Sequence, residues 1–202
     1  MNWDYLMRIA YCDNISVLKL TERLCKDAVA NGIEGDFAEA GVAYGAHGII
    51  MKSNSKDKKV YLFDSFEGIP KHGEYDPEFQ QSYGASEGNQ RESSGITVCP
   101  LYAVKETIMR ETDLDRFVFR EGWFIDTFPK LTDEKFSVLR LDCDLYESHM
   151  LCFEYLLPRL SKGGWLIIDD WVLSGCKRAI AEYGLDQKTY QVENNIFYLQ
   201  ID

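Results

Sequence analysis

The 202-residue sequence has no Cys-x-x-Cys pair, no internal repeat, no low-complexity tract and no apolar run longer than a strand. Its six cysteines (Cys12, Cys25, Cys99, Cys143, Cys152, Cys176) lack paired spacing and a histidine-rich companion stretch. That pattern excludes a zinc ribbon or disulfide framework and leaves reduced thiols as the default. Basic residues are scarce: 22 Lys and Arg face 33 Asp and Glu, a net charge of −11. Nucleic acid and anionic membrane surfaces both call for cationic stripes, so neither is an expected partner. The opening Met1-Asn2-Trp3-Asp4 has neither the basic nor the apolar segment of a secretory signal, and no stretch is long enough for a membrane helix, so the expected location is the cytoplasm. No tyrosine is followed four positions later by lysine, which removes the catalytic pair of a short-chain dehydrogenase.

What is present reads as a globular enzyme. A hydrophobic content of 46% with 27% charged residues is ordinary for a soluble domain, and the length suits one full core. Residues 1–34 are expected to form a helical segment and residues 35–202 a single globular unit. Leu6, Ile9 and Ala10, then Val17, Leu20, Leu24 and Ala28, recur near helical spacing until Asn31-Gly32 stops the pattern. From Gly35 onward strand-like and helix-like segments alternate. Strands are expected at Phe37–Val42, Lys59–Asp64, Phe117–Arg120, Val138–Leu141 and Leu166–Ile168, with helices from near Ala46 and over Leu101–Thr112. Lys188–Val192 and Ile196–Ile201, joined at Glu193-Asn194-Asn195, read as a closing antiparallel pair. Alternation of this kind means an α/β sandwich on a mostly parallel sheet. Ile69–Ser94, rich in Gly, Ser, Gln, Glu and Pro, is longer than an ordinary connection and is expected to be a lid.

Two apolar runs end in acidic pairs: Leu139-Arg140-Leu141-Asp142-Cys143-Asp144 and Gly164-Trp165-Leu166-Ile167-Ile168-Asp169-Asp170. Asp142 and Asp169 lie 27 positions apart, the length of a strand end, a crossover helix and the next strand. Carboxyl ends of neighbouring parallel strands lie side by side at the ligand-binding edge. Asp142, Asp169 and Asp170 are therefore expected in one crevice, with a hard divalent cation offsetting their repulsion. Acidic residues that merely end strands and cap helices are the plainer alternative.

Gly41-Val42-Ala43-Tyr44-Gly45-Ala46-His47-Gly48 falls where the first of these strands turns into a helix, so the backbone can approach a ligand closely. Asp64 ends the next strand, where a carboxylate can accept from two ribose hydroxyls. The glycine spacing differs from Gly-x-Gly-x-x-Gly, and Glu39 just before the turn suits a ligand bearing positive charge better than a pyrophosphate. Glu121-Gly122-Trp123-Phe124 reaches the same edge, where Gly122 permits close approach and an aromatic ring could flank a purine or simply fill core.

Asp36–Val42, Asp64-Ser65-Phe66-Glu67-Gly68-Ile69-Pro70, Gly122–Thr127, Leu139–Ser148 and Gly163–Asp170 together resemble the macrocin O-methyltransferase family, with Leu-Arg-Leu-Asp-x-Asp-x-Tyr-Glu-Ser the most distinctive string. The resemblance implies a Rossmann-like class I methyltransferase sandwich with a seven-stranded, mostly parallel sheet and a C-terminal antiparallel hairpin. It implies S-adenosylmethionine and Mg2+ as cofactors and a sugar hydroxyl on a glycan, glycoside or nucleotide sugar as methyl acceptor. By the same resemblance Asp142, Asp169 and Asp170 hold the magnesium, and Asp142 is also the general base. Asp64 takes the adenosine ribose, with Ser65, Gly122 and Trp123 nearby. Glu39 and the Gly41–Gly45 turn, including Tyr44, line the methionine end. The acceptor would carry a vicinal diol, and a homodimer stays open. Catechol-type relatives place a lysine base three residues after the first metal aspartate, where this chain has Leu145. The alternatives are a catechol-like acceptor and a non-catalytic cofactor-binding module of a larger glycan-assembly protein.

Overall fold

Leu20, Leu24 and Ala28 recur every four positions along α2 (Ile15–Ala30), so one face of that helix is buried. It follows a short α1 (Trp3–Ile9), and both helices start on asparagine caps, Asn2 accepting from the Tyr5 amide and Asn14 from the Ser16 amide. The computed structural model describes residues 1–84 and 87–202. After α2 the chain runs β1 (Asp36–Ala40), α3 (Ala46–Ser53), β2 (Val60–Asp64), α4 (Pro77–Tyr83), α5 (Leu101–Met109), β3 (Phe117–Glu121) and α6 (Phe124–Thr127). It continues through β4 (Phe136–Leu141), α7 (Tyr146–Tyr155), β5 (Leu160–Ile168), α8 (Ser174–Glu182), β6 (Tyr190–Glu193) and β7 (Ile196–Gln200). The seven strands lie in the order β3-β2-β1-β4-β5-β7-β6, with β1 to β5 parallel and β7 antiparallel to both its neighbours. Strand order reverses between β1 and β4, which opens a crevice at their carboxyl ends.

Each face of the sheet carries its own core. Leu24, Ile49, Val104, Ile108 and Ile167 fill one, and Phe63, Phe128, Phe136, Phe153 and Phe197 fill the other. The N-terminal helices belong to the first core through Leu6, Leu18 and Leu24, so they pack against residues 35–202 as part of one body. Among the described residues no helix is long and apolar enough to cross a membrane.

The expected elements are present with two departures. β5 begins at Leu160, six residues before its expected start, because Gly163-Gly164 is an irregularity within the strand and not a turn before it. A side chain at Gly164 would meet Leu160 and the Ser161 carbonyl at 2.8 Å. The second departure is α4, a helix inside the long Ile69–Ser94 connection. That connection is packed, with His72, Asp76 and Phe79 all buried. Residues 85 and 86 of the expected lid lie outside the described residues.

Candidate active site

A cavity of about 330 Å³ opens at the carboxyl edge, over the β1–β4 reversal. Gly41, Asp64, Ser65, Trp123, Asp142 and Asp169 all line it. These six come from five separate strand ends, brought together by parallel pairing. The turn after β1 passes so close to the end of β4 that a Cβ at Gly41 would lie 1.7 Å from the Asp142 carbonyl oxygen; only glycine fits, and its φ is +83°. Four non-glycine residues of the cavity wall, Tyr11, Ala43, Thr97 and Asp144, also hold positive φ, at 51°, 44°, 51° and 60°. Such strain is kept where surrounding structure fixes it, and it commonly marks functional sites.

Five expected site residues lie off the cavity wall, Glu39 being buried within β1. Gly45 starts α3, where its bare Cα sits against Ile108, and Tyr44 packs on the first core with its ring 6.1 Å from that of Tyr11. Gly122 turns the chain after β3 while its amide donates to the Asp64 carbonyl at 2.9 Å. Asp170 is buried behind the wall, where its Oδ2 accepts from the amides of Cys143 (3.0 Å) and Asp144 (2.8 Å). It braces the turn that carries Asp142 and Asp144. Asp64 does double duty: it lines the cavity while accepting from the amides of Val42 and Phe66, each at 2.7 Å.

The charge balance differs from the expectation of a divalent ion alone. The cation among the acids is Arg140 on β4, 1% exposed. Its Nη1 donates to Glu39 Oε1 (3.0 Å) and Asp142 Oδ2 (2.9 Å), and its Nη2 to Asp169 Oδ2 (2.9 Å). A strand-interior arginine next to a metal-type aspartate carries no spacing signal of its own, so sequence periodicity passes over it. Burial pushes the Glu39 carboxyl up to about 8 against the pull of Arg140. Burial also raises Asp169 to about 6, and burial with the Asp142 charge raises Asp170 to about 7. Asp144, the other acid sequence reasoning left out of the site, lines the cavity beside Asp142. Burial, with the charges of Asp170 and Asp142, holds its carboxyl well above the usual range. It stands second in the Asp-x-Asp pair, and that pairing was its visible signal.

The donor chemistry suits a hard cation. Asp142, Asp169 and Asp170 each commit Oδ2 to a partner within the protein, and among the described residues Oδ1 of each has none. Oxygen-only ligands are what magnesium takes. The three are not drawn up around one point, since Asp142 and Asp169 lean on Arg140. Among the described residues, the acid, thiol and imidazole groups with ligand atoms all within 4.8 Å of one another are Cys143, His149 and Asp170. That set is a buried network. His149 is fully enclosed, with Nδ1 3.0 Å from the Leu145 carbonyl and Nε2 3.5 Å from Asp170 Oδ2, so it cannot meet a substrate. For a cationic cofactor the fit is through Glu39, whose Oε2 is buried and has no hydrogen-bond partner among the described residues.

A family profile described as Macrocin-O-methyltransferase (TylF) matches residues 16–200. The chain is 37% identical over 167 residues to the 8-demethyl-8-(2,3-dimethoxy-alpha-L-rhamnosyl)-tetracenomycin-C 4'-O-methyltransferase of Streptomyces olivaceus, covering 79% of this chain and 62% of that protein. It is 32% identical over 183 residues to the mycinamicin III 3''-O-methyltransferase of Micromonospora griseorubida, covering 86% and 71%. Among solved structures it superposes on the O-methyltransferase NovP with a TM-score of 0.80 at 28% identity, over 93% of this chain and 80% of that one. The chain thus spans between three fifths and three quarters of the length of these two curated relatives.

Proposed function

The chain belongs to the macrocin O-methyltransferase (TylF) family, and from that premise we propose that it transfers a methyl group from S-adenosylmethionine to a sugar hydroxyl of a glycoside or nucleotide sugar. The observation that carries this reading is the convergence of Asp64, Asp142 and Asp169 on one cavity. The two curated relatives named above methylate sugar-bearing natural products, one at a rhamnosyl-tetracenomycin and one at a mycinamicin.

In this reading the adenosine ribose lies at Asp64, whose carboxylate keeps lone pairs beyond those used by two amides. Trp123 flanks the purine, and Glu39 meets the amino-acid end from beneath the Gly41 turn. When bound, S-adenosylmethionine supplies an electrophilic methyl on sulfonium. Magnesium at Asp142, Asp169 and Asp170 would supply Lewis acidity toward the acceptor hydroxyls. The protein's own tasks are alignment of the hydroxyl for in-line attack and removal of its proton. Asp142 accepts that proton. Asp144 is the second candidate, since its carboxylate lines the same wall and, among the described residues, has no hydrogen-bond partner.

The test is incubation with S-adenosylmethionine, magnesium and a panel of neutral glycosides and nucleotide sugars, read as mass gain of one methyl group. Calorimetry should show binding of S-adenosylhomocysteine, weakened by Asp64→Ala. Saturable NADH binding without any response to S-adenosylhomocysteine would reject the reading, and full turnover in excess EDTA would remove the metal from it.

A further inference from the structure

Arg140 is a fully buried arginine between two halves of one site. It sits in the middle of the sheet, paired across to Glu39 on β1 and Ile167 on β5. One guanidinium edge therefore reaches the acid under the cofactor turn, and the same group reaches the two acids of the cavity floor. The contacts are selective by atom. Arg140 takes Oε1 of Glu39 and leaves Oε2 buried and, among the described residues, unpartnered. It takes Oδ2 of Asp142 and of Asp169, whose side chains are 32% and 26% exposed, and leaves both Oδ1 atoms without a partner among the described residues.

We infer that Arg140 is a positioning residue that serves the amino-acid end of the cofactor and the acceptor end of the site with a single side chain. This rests on the methyltransferase reading. Held by Nη1, Glu39 keeps a fixed rotamer in a buried place and offers its second oxygen to the cofactor's ammonium group. Held by both terminal nitrogens, Asp142 and Asp169 keep fixed rotamers with one oxygen each toward the cavity. Among the described residues no other cation hydrogen-bonds to Glu39, Asp142 or Asp169. His47 of α3 hydrogen-bonds with Thr21 Oγ1 at 2.9 Å and is kept neutral by burial, with the charge of Arg140 adding to the effect. Lysine could keep the charge but not the geometry, because a guanidinium presents two planar edges and an ammonium is a point.

The experiment compares wild type with Arg140→Lys for three equilibrium bindings without turnover. The probes are S-adenosylhomocysteine, 5'-methylthioadenosine and Mn2+, the last followed by electron paramagnetic resonance. 5'-Methylthioadenosine shares the nucleoside and the sulfur but lacks the amino acid. Loss of a charge-assisted contact predicts about tenfold or greater weakening of S-adenosylhomocysteine, with 5'-methylthioadenosine within about twofold. Mn2+ affinity should fall as well. Equal losses for the two nucleosides would make Arg140 a merely structural residue, and no change in any of the three would overturn the proposal. Should the variant fail to fold, 15N-arginine spectra of the wild type decide. The buried guanidinium signal should shift on adding S-adenosylhomocysteine and again on adding Mn2+, and a signal unmoved by either overturns the inference. Wild type that binds 5'-methylthioadenosine and S-adenosylhomocysteine not at all points instead to failure of the methyltransferase reading.

Discussion

At the scale of single residues, the site depends on which oxygen of each acid is already in use. Asp142 gives Oδ2 to Arg140, so Oδ1 is the atom available to take a proton. Asp142→Asn is expected to lower kcat by about 10²–10⁴, the range for removing a general base, and saturating magnesium should not restore it. Asp169→Asn, a metal position only in this scheme, should recover in part as magnesium is raised. Full recovery of Asp142→Asn would move the base to Asp144, for which Asp144→Asn in the same assay is the next test. Asp170→Asn is a poorer probe of metal binding, since it also frees the amides of Cys143 and Asp144. Much of this was legible in the residues: acids closing two apolar runs at crossover spacing do meet at one edge. Arg140 was not, because its position in a β-strand says which face it points to and nothing about what lies opposite. The burial of Asp170 behind the wall was not legible either. Adjacent residues at a strand end point different ways, so of the Asp169-Asp170 pair only the first reaches the cavity.

At the scale of elements, the connection from Ile69 to Ser94 has more structure than its composition suggested. Polar residues hide a helix there because α4 buries little beyond Phe79, and its anchoring is by acids set against helix N-termini. Asp76 accepts from the Tyr146 amide at the start of α7 (2.9 Å), and Glu78 from the Ser174 amide and hydroxyl at the start of α8 (3.1 and 2.8 Å). Asp76 Oδ2 and Glu147 Oε2 are both buried and, among the described residues, without a hydrogen-bond partner, and the nearby backbone is glycine on both sides, Gly73 and Gly175. Burial first, and the Glu147 carboxylate after it, push Asp76 up to about 6. A folded pKa above the unfolded one favours the docked segment at low pH, and that gain is lost as pH rises through about 6. Hydrogen-exchange protection over residues 70–83, corrected for intrinsic rates, should therefore be higher at pH 5 than at pH 7.5. Asp76→Asn, which mimics the protonated acid, should flatten that difference; an identical profile in the variant would discard Asp76 as its source. Lid behaviour itself predicts slower exchange in the same amides once cofactor and acceptor are both bound, and unchanged protection would make this an ordinary packed connection.

For the whole molecule, the division between an N-terminal helical segment and a catalytic unit is a division of sequence only. Leu24 of α2 is 2% exposed in the same core as Ile49 and Ile167, so we expect the chain to unfold as one cooperative unit. Leu24→Ala should cost about 2–5 kcal/mol and shift one transition for the whole chain. Early loss of helix with the sheet's aromatic signal intact would separate the two parts.

The order of the last three strands adds a constraint on how the protein is made. β6 leaves the ribosome before β7, yet β7 is the strand that pairs with β5, and β6 lies outside it. Among the described residues no earlier strand pairs with that side of β5, so its open edge persists until residue 200 has been synthesised. The hairpin must then close on its own turn, Asn194-Asn195, both residues with positive φ as a tight two-residue connection requires. Hairpins close in about 1–10 μs, fast against the pace of translation. Synthesis of the nascent chain, not the search for this pairing, therefore sets how long an unprotected apolar edge is open to aggregation.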